Sequence, residues 1–76
     1  MNHYTIRKFT KTGEVKELKS IDSPTDFVAR RIGSLLSAQK QHRDEKIYIV
    51  DDINNHSIIY LNGFRIREFH NNKIIY

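Results

Sequence analysis

Four histidines, at positions 3, 42, 56 and 70, are the first groups to weigh as metal ligands or proton carriers. No two share a spacing that would set them on one face of an element. The chain has no cysteine, so a metal would need His, Asp and Glu converging from distant segments. Separate surface histidines near turns are the expectation, with no metal and no cofactor. The run Asp51-Asp52-Ile53-Asn54-Asn55 has the composition of a calcium loop. It lacks the alternating ligands, the central glycine and the closing glutamate, and reads as a polar hairpin loop. For catalysis, His42, Arg43 and Tyr60 would be the raw material of an RNase-like site. Arg43 with Glu45, or Asp44 with His42, can be drawn as acid–base couples. The three glycines, 13, 33 and 63, are isolated, so no phosphate loop exists, and no serine stands in a nucleophile elbow. A chain of 76 residues leaves little room for a pocket, and a protein that is not an enzyme is expected.

Two sets of residues suit binding better. In the first, Arg65 and Arg67 read as projecting from one side of a strand, with Tyr60 across the hairpin. Arg7 and Lys8, and Arg30 with Arg31, extend it. Arginine alternating with aromatics on a strand is how a sheet grips phosphates and stacks bases. The competing reading is a solvated face whose arginine stems cover Ile58 and Tyr60, with Arg7 paired to Glu17. In the second set, Ala29, Gly33 and Ser37 recur every fourth residue along a helix and form a smooth ridge, with Arg30 on the polar side. A glycine inside a helix costs about 1 kcal/mol relative to alanine, so Gly33 needs a reason. Either the ridge approaches its own sheet, or a partner protein or second copy docks there.

The elements that would carry these residues can be read from local pattern. His3–Thr10 and Glu14–Ser20 read as strands around a turn at Lys11-Thr12-Gly13-Glu14. A type I turn with a bulge at Gly13 sets Phe9 opposite Val15, Arg7 opposite Glu17 and Ile6 opposite Leu18. A helix is expected from Ser23 to about Gln41, with Ser23 as N-cap, Pro24 in the first turn and Asp26 completing a capping box. Val28, Ile32, Leu35 and Leu36 share one face and are expected to cover the sheet. Arg43 comes next, near the negative helix end. Lys46–Val50 is apolar almost throughout and reads as a central strand covered on both faces. Asn62-Gly63 marks a hairpin between Ser57–Leu61 and Phe64–Phe69, and Asn71-Asn72 a last turn that brings Ile74 beside Phe69. The opening hairpin and Ser-Pro-led helix resemble in outline the arm-type DNA-binding domains of integrases, over less than half the chain and with no diagnostic motif.

The expected fold is therefore α+β, one small domain over residues 1–76. An antiparallel sheet, made of the N-terminal hairpin plus a C-terminal three- or four-stranded meander, carries one helix across one face in the order ββαβββ(β). Net charge is +4, with cations spread among acids along the chain. The absence of cysteine, of a signal-peptide core and of an 18-residue apolar run implies a cytoplasmic protein with no membrane partner. Frequent Ile, Lys and Asn point to an AT-rich gene, as in a low-GC bacterium or its phage. The leading expectation is a non-catalytic module docking on another protein through Ala29, Gly33, Ser37 and Arg30, as an accessory or inhibitory factor of a mobile element. A homodimer is compatible with the same ridge. The alternative is a nucleic-acid-binding module using Arg65, Arg67, Tyr60 and Arg7.

Overall fold

The computed structural model describes residues 1–76. Six strands make one antiparallel sheet: β1 (Asn2–Phe9), β2 (Val15–Ser23), β3 (Lys46–Asp51), β4 (His56–Leu61), β5 (Phe64–His70) and β6 (Lys73–Ile74), in the order β2-β1-β3-β4-β5-β6. Between β2 and β3 the chain crosses one face as helix α1 (Phe27–Ala38) and a 3-10 turn (Lys40–His42). The α+β architecture is as expected. The two hairpin regions join through β1 and β3, where Ile6 faces Ile49.

Turn chemistry sets the hairpins. Gly13 has φ +88° and donates to the Thr10 carbonyl (3.0 Å), and Phe9 and Arg7 meet Val15 and Glu17. Asn62 and Gly63 take φ 50° and 92°, the two positive values of a type I′ turn. Asn71 and Asn72 likewise turn the chain so that Phe69 faces Ile74. Each long hairpin then slips by one residue. Ile6 pairs with Lys19 rather than Leu18, and Ile59 and Ile58 pair with Arg67 and Glu68. These are β-bulges, with Leu18 and Ile66 as the extra residues, and each reverses the facing of the later residues on its strand. Arg65 and Arg67 therefore project from opposite faces, contrary to the expectation of one shared basic side.

The helix differs from its expected span and rotation. Strand β2 continues through Ser23, which pairs with Asn2; its hydroxyl is buried without a hydrogen-bond partner and caps nothing. Pro24, lacking an N–H, ends the ladder. The helix starts three residues later behind Asp26, whose carboxylate accepts from Arg30 Nε (2.9 Å) instead of capping the first turn. At the other end Gln39 is extended and stops it.

The row Ala29, Gly33 and Ser37 is buried against the sheet. A Cβ on Gly33 would lie 2.7 and 2.8 Å from two ring carbons of Tyr60 and 2.9 Å from Cγ1 of Ile49. The bulk of Tyr60 at the sheet centre leaves room only for helix backbone, so small residues must face it. Ile32 and Leu36 flank that contact, while Val28 and Leu35 are left 47% and 54% exposed. The ridge is thus an internal contact and offers no docking surface, and only half of the apolar helix face covers the sheet. The core comprises Tyr4, Ile6, Ala29, Ile47, Ile49, Ile58 and Tyr60. The helix end is tied to the β4–β5 turn: Ser34 Oγ donates to the Gly63 carbonyl (2.8 Å), and Gly63 N–H donates to Ser37 Oγ (2.9 Å). The other sheet face has no helix over it, so β3 is central but covered on one side only.

Candidate nucleic-acid interface

The two faces of the sheet hold their charges differently. On the helix side Glu68, 2% exposed, receives four short hydrogen bonds. Arg30 donates through Nη1 and Nη2 to its two carboxylate oxygens (2.8 Å each), Arg65 through Nη1 to Oε1 (2.7 Å), and His56 Nε2 lies 2.6 Å from Oε2. Arg65 also lies over the Tyr76 ring, 3.6 Å from its centroid. Burial pushes the Glu68 carboxyl pKa up, but the hydrogen bonds from Arg30, His56 and Arg65 outweigh it and bring the value to about 2. The same contact with Glu68 holds the Arg30 guanidinium firmly charged, its pKa raised. Arg30, Arg65 and Tyr60, all sequence candidates for a binding surface, are therefore parts of the packed helix side. Nothing in the sequence marked Glu68 as their partner, because the bulge at Ile66 is what turns it inward.

The open face gathers the other two candidates. Arg7, Tyr48, Ile59 and Arg67 are successive partners on β1, β3, β4 and β5, and so form one row across the sheet. Three strand spacings separate the two arginines, about 14 Å. The next row runs Thr5, Val50, Ser57, Phe69 and Ile74. Phe9 packs on Tyr48 with ring centroids 4.3 Å apart and planes tilted by 42°, and Lys46 stands opposite Phe9.

Arg7, Lys46 and Arg67 make no ion pair. The acids on this face, Glu17 and Asp22, both sit on edge strand β2, where Asp22 is held by His3 (2.7 Å). Asp44, which lines one cavity with Phe9, Lys46 and Tyr48, is engaged by Asn62 Nδ2 (3.0 Å) and Lys11 (3.9 Å). From β3 to β6 the open face presents aromatic, aliphatic, hydroxyl and basic side chains and no carboxylate. Tyr48, Phe9 and Phe69 were not among the sequence candidates. For Tyr48 the signal was the alternation of Lys46, Tyr48 and Val50, obscured because the apolar run from Lys46 to Val50 suggested cover on both sides.

The histidines are not the separate surface groups expected: His56 and His70 are cross-strand partners with ring centroids 5.2 Å apart, and His42 is buried, while the RNase-like candidates are dispersed. His42 is buried on Glu45 (Nδ1 to Oε1, 3.2 Å), and Lys8 reaches the same oxygen (3.4 Å). The His42 hydrogen bond is the main cause of the lowered Glu45 pKa; burial opposes it and Lys8 adds to it. Tyr60 lies under α1, and Arg43 lines a separate cavity beyond the helix end with Lys40 and Asn62. The RNase-like trio is therefore not assembled in one cavity. Asp51, 1% exposed, accepts from Asn54 N (3.1 Å) and Asn54 Nδ2 (2.7 Å), which makes its loop a self-capped turn. No helix is long and apolar enough to cross a membrane. No protein-family model, curated protein or solved structure matches the chain.

Proposed function

We propose that this protein is a binding module for single-stranded nucleic acid, gripped across the open face of the sheet. The observation that carries the reading is the row Arg7, Tyr48, Ile59, Arg67: two arginines that form no ion pair, Arg7 even with Glu17 opposite it, flank an aromatic ring on the sheet face that no helix covers. Cations at that spacing take backbone phosphates. Tyr48, Phe9 and Phe69 offer ring faces to unstacked bases, each stack contributing about 1–3 kcal/mol. A single strand suits this surface better than a duplex. A broad six-stranded sheet does not enter a major groove about 12 Å wide, and paired bases do not expose their faces to Tyr48. Docking of a protein on the Ala29, Gly33, Ser37 ridge has lost its support, since that row lies inside.

Fluorescence anisotropy with a labelled twelve-nucleotide oligothymidine, set against the corresponding duplex, tests the proposal. The single strand should bind more tightly at low salt. Its affinity should fall as salt rises, with a log–log slope of about −0.7 per phosphate neutralised. Arg7→Ala/Arg67→Ala should make that slope shallower by about 1.4, two phosphates' worth. Failure of the native protein to bind the oligonucleotide at low salt removes the reading.

A further inference from the structure

At the end of the sheet away from the Asn62-Gly63 turn, two histidines face one another. His56 opens β4, His70 closes β5, and the two are cross-strand partners. Just beyond them Asn71 N–H donates to the Asn55 carbonyl (2.8 Å). Positions 56 and 70 are therefore a non-hydrogen-bonded pair, the kind whose side chains stand closer. Their ring centroids are 5.2 Å apart and the planes are tilted by 52°. Imidazole nitrogens about 2.0–2.1 Å from one ion, at the tetrahedral angle, set their ring centroids about 5 Å apart. The observed spacing matches a shared ion with no change of strand register.

The nitrogens are disposed to suit. Both Glu68 oxygens already accept from arginine, Oε1 from Arg30 and Arg65 and Oε2 from Arg30. The 2.6 Å contact between His56 Nε2 and Oε2 is therefore an N–H donated to the carboxylate. In the neutral ring the lone pair then falls on Nδ1, which has no hydrogen-bond partner in the chain and is open to solvent. A carboxylate that holds one ring nitrogen so that the other can ligate is the usual support of a metal-bound histidine. His70 is exposed, and neither of its nitrogens is hydrogen-bonded within the chain. Asp51, the partner of His56 on β3, adds negative charge to the same row but is occupied by Asn54, and the exposed Lys73 stands opposite His70. We propose that His56 Nδ1 and His70 bind a divalent first-row transition ion, Zn²⁺ being the one whose tetrahedral geometry the ring spacing fits. No third imidazole or carboxylate completes a protein cage, so water fills the remaining positions. The pair lies on the helix side with Glu68, and nothing in this assignment depends on the open face.

Zinc sulfate titrated into isotope-labelled protein in slightly alkaline buffer, with the imidazole nitrogens followed by long-range proton–nitrogen NMR, tests the site. Before metal is added, His56 should show the tautomer protonated at Nε2. Zn²⁺ should then give saturable shifts at His56 Nδ1 and His70, while Mg²⁺, which prefers oxygen ligands, leaves both unmoved. His70→Ala alters an exposed ring without a hydrogen bond. It should weaken Zn²⁺ binding about tenfold or more, with the amide spectrum and the His56 tautomer intact. His3→Ala, at the exposed contact with Asp22, should leave the affinity unchanged. Equal affinity in His70→Ala overturns the proposal, as does a metal-free His56 protonated at Nδ1. Saturation centred on His3 or His42, or none at millimolar Zn²⁺, would be equally contrary.

Discussion

Arg65 and Arg67 stand two residues apart on β5, and their surroundings differ in kind. Arg65 is bound to a buried carboxylate and stacked over the Tyr76 ring; Arg67 meets no acid and lies in a row with Tyr48 and Arg7. The bulge at Ile66 separates them. The same contrast extends over the two sheet faces. Under the helix, charge is matched to charge and serves folding, because a buried ion without its partner is costly. On the open face Arg67 and Lys46 have no acid opposite them, and Arg7 forms no ion pair with the Glu17 across from it, so a partner from outside could neutralise them. Substitutions on the helix side should accordingly alter stability, and those on the open face should alter binding.

Glu68→Gln is the severest way to test that division. It leaves the guanidiniums of Arg30 and Arg65 without their anion in a shielded site, and should cost about 3–5 kcal/mol in a denaturant titration. A loss below about 1 kcal/mol would place the node among ordinary surface pairs. Acid should act on the same group. The folded pKa of Glu68, about 2, lies below its ordinary 4.5, so the native state binds fewer protons than the unfolded chain between those values. Its stabilisation is complete above pH 4.5 and disappears as pH falls through 2. This amounts to about 3 kcal/mol, and Glu68→Gln should abolish that part of the acid dependence in urea titrations run at several pH values. Next in size is Gly33→Ala. The added methyl meets Tyr60 and Ile49 below 3 Å. Overpacking should outweigh the gain in helix propensity and destabilise by about 1–3 kcal/mol by thermal melting. A stabilised variant would mean that α1 sits further from the sheet.

The open face should respond the other way. Arg7→Ala/Arg67→Ala should stay within about 0.5 kcal/mol of the native stability while weakening oligonucleotide binding. Tyr48→Ala should lower that affinity by about 1–3 kcal/mol, the worth of one stacked base. Unfolding by the arginine pair, or unchanged binding by both variants, would erase the distinction between the faces.

The parts of the fold readable from sequence were those decided locally. Gly13, Asn62-Gly63 and Asn71-Asn72 carry their turns in their own backbone preferences, and the ββαβββ(β) order came from them. The bulges at Leu18 and Ile66 have no such local mark. They depend on sheet twist and on what the opposite face accommodates, and so the partners of Ile58 and Ile59 were misassigned by one residue. The rotation of α1 was equally distant in origin. Periodicity favoured Val28 and Leu35 as sheet-facing, but Tyr60, far along the chain, admits only Ala29, Gly33 and Ser37. Arg7, Arg65 and Arg67 were recognisable as basic candidates from the sequence, but not which of them form ion pairs: Arg7 reads as paired to Glu17, and Arg65 as sharing a side with Arg67. Tyr48 was not recognisable as the ring between Arg7 and Arg67, because nothing in Lys46–Val50 says which side the helix leaves uncovered.

The most direct measurement is an NMR titration of the isotope-labelled protein with oligothymidine at low salt. Saturable shifts should concentrate on Arg7, Phe9, Tyr48, Arg67 and Phe69, with α1 and the Glu68 node unmoved. Shifts centred on α1, or none at any residue, would contradict the assignment of the open face to nucleic acid.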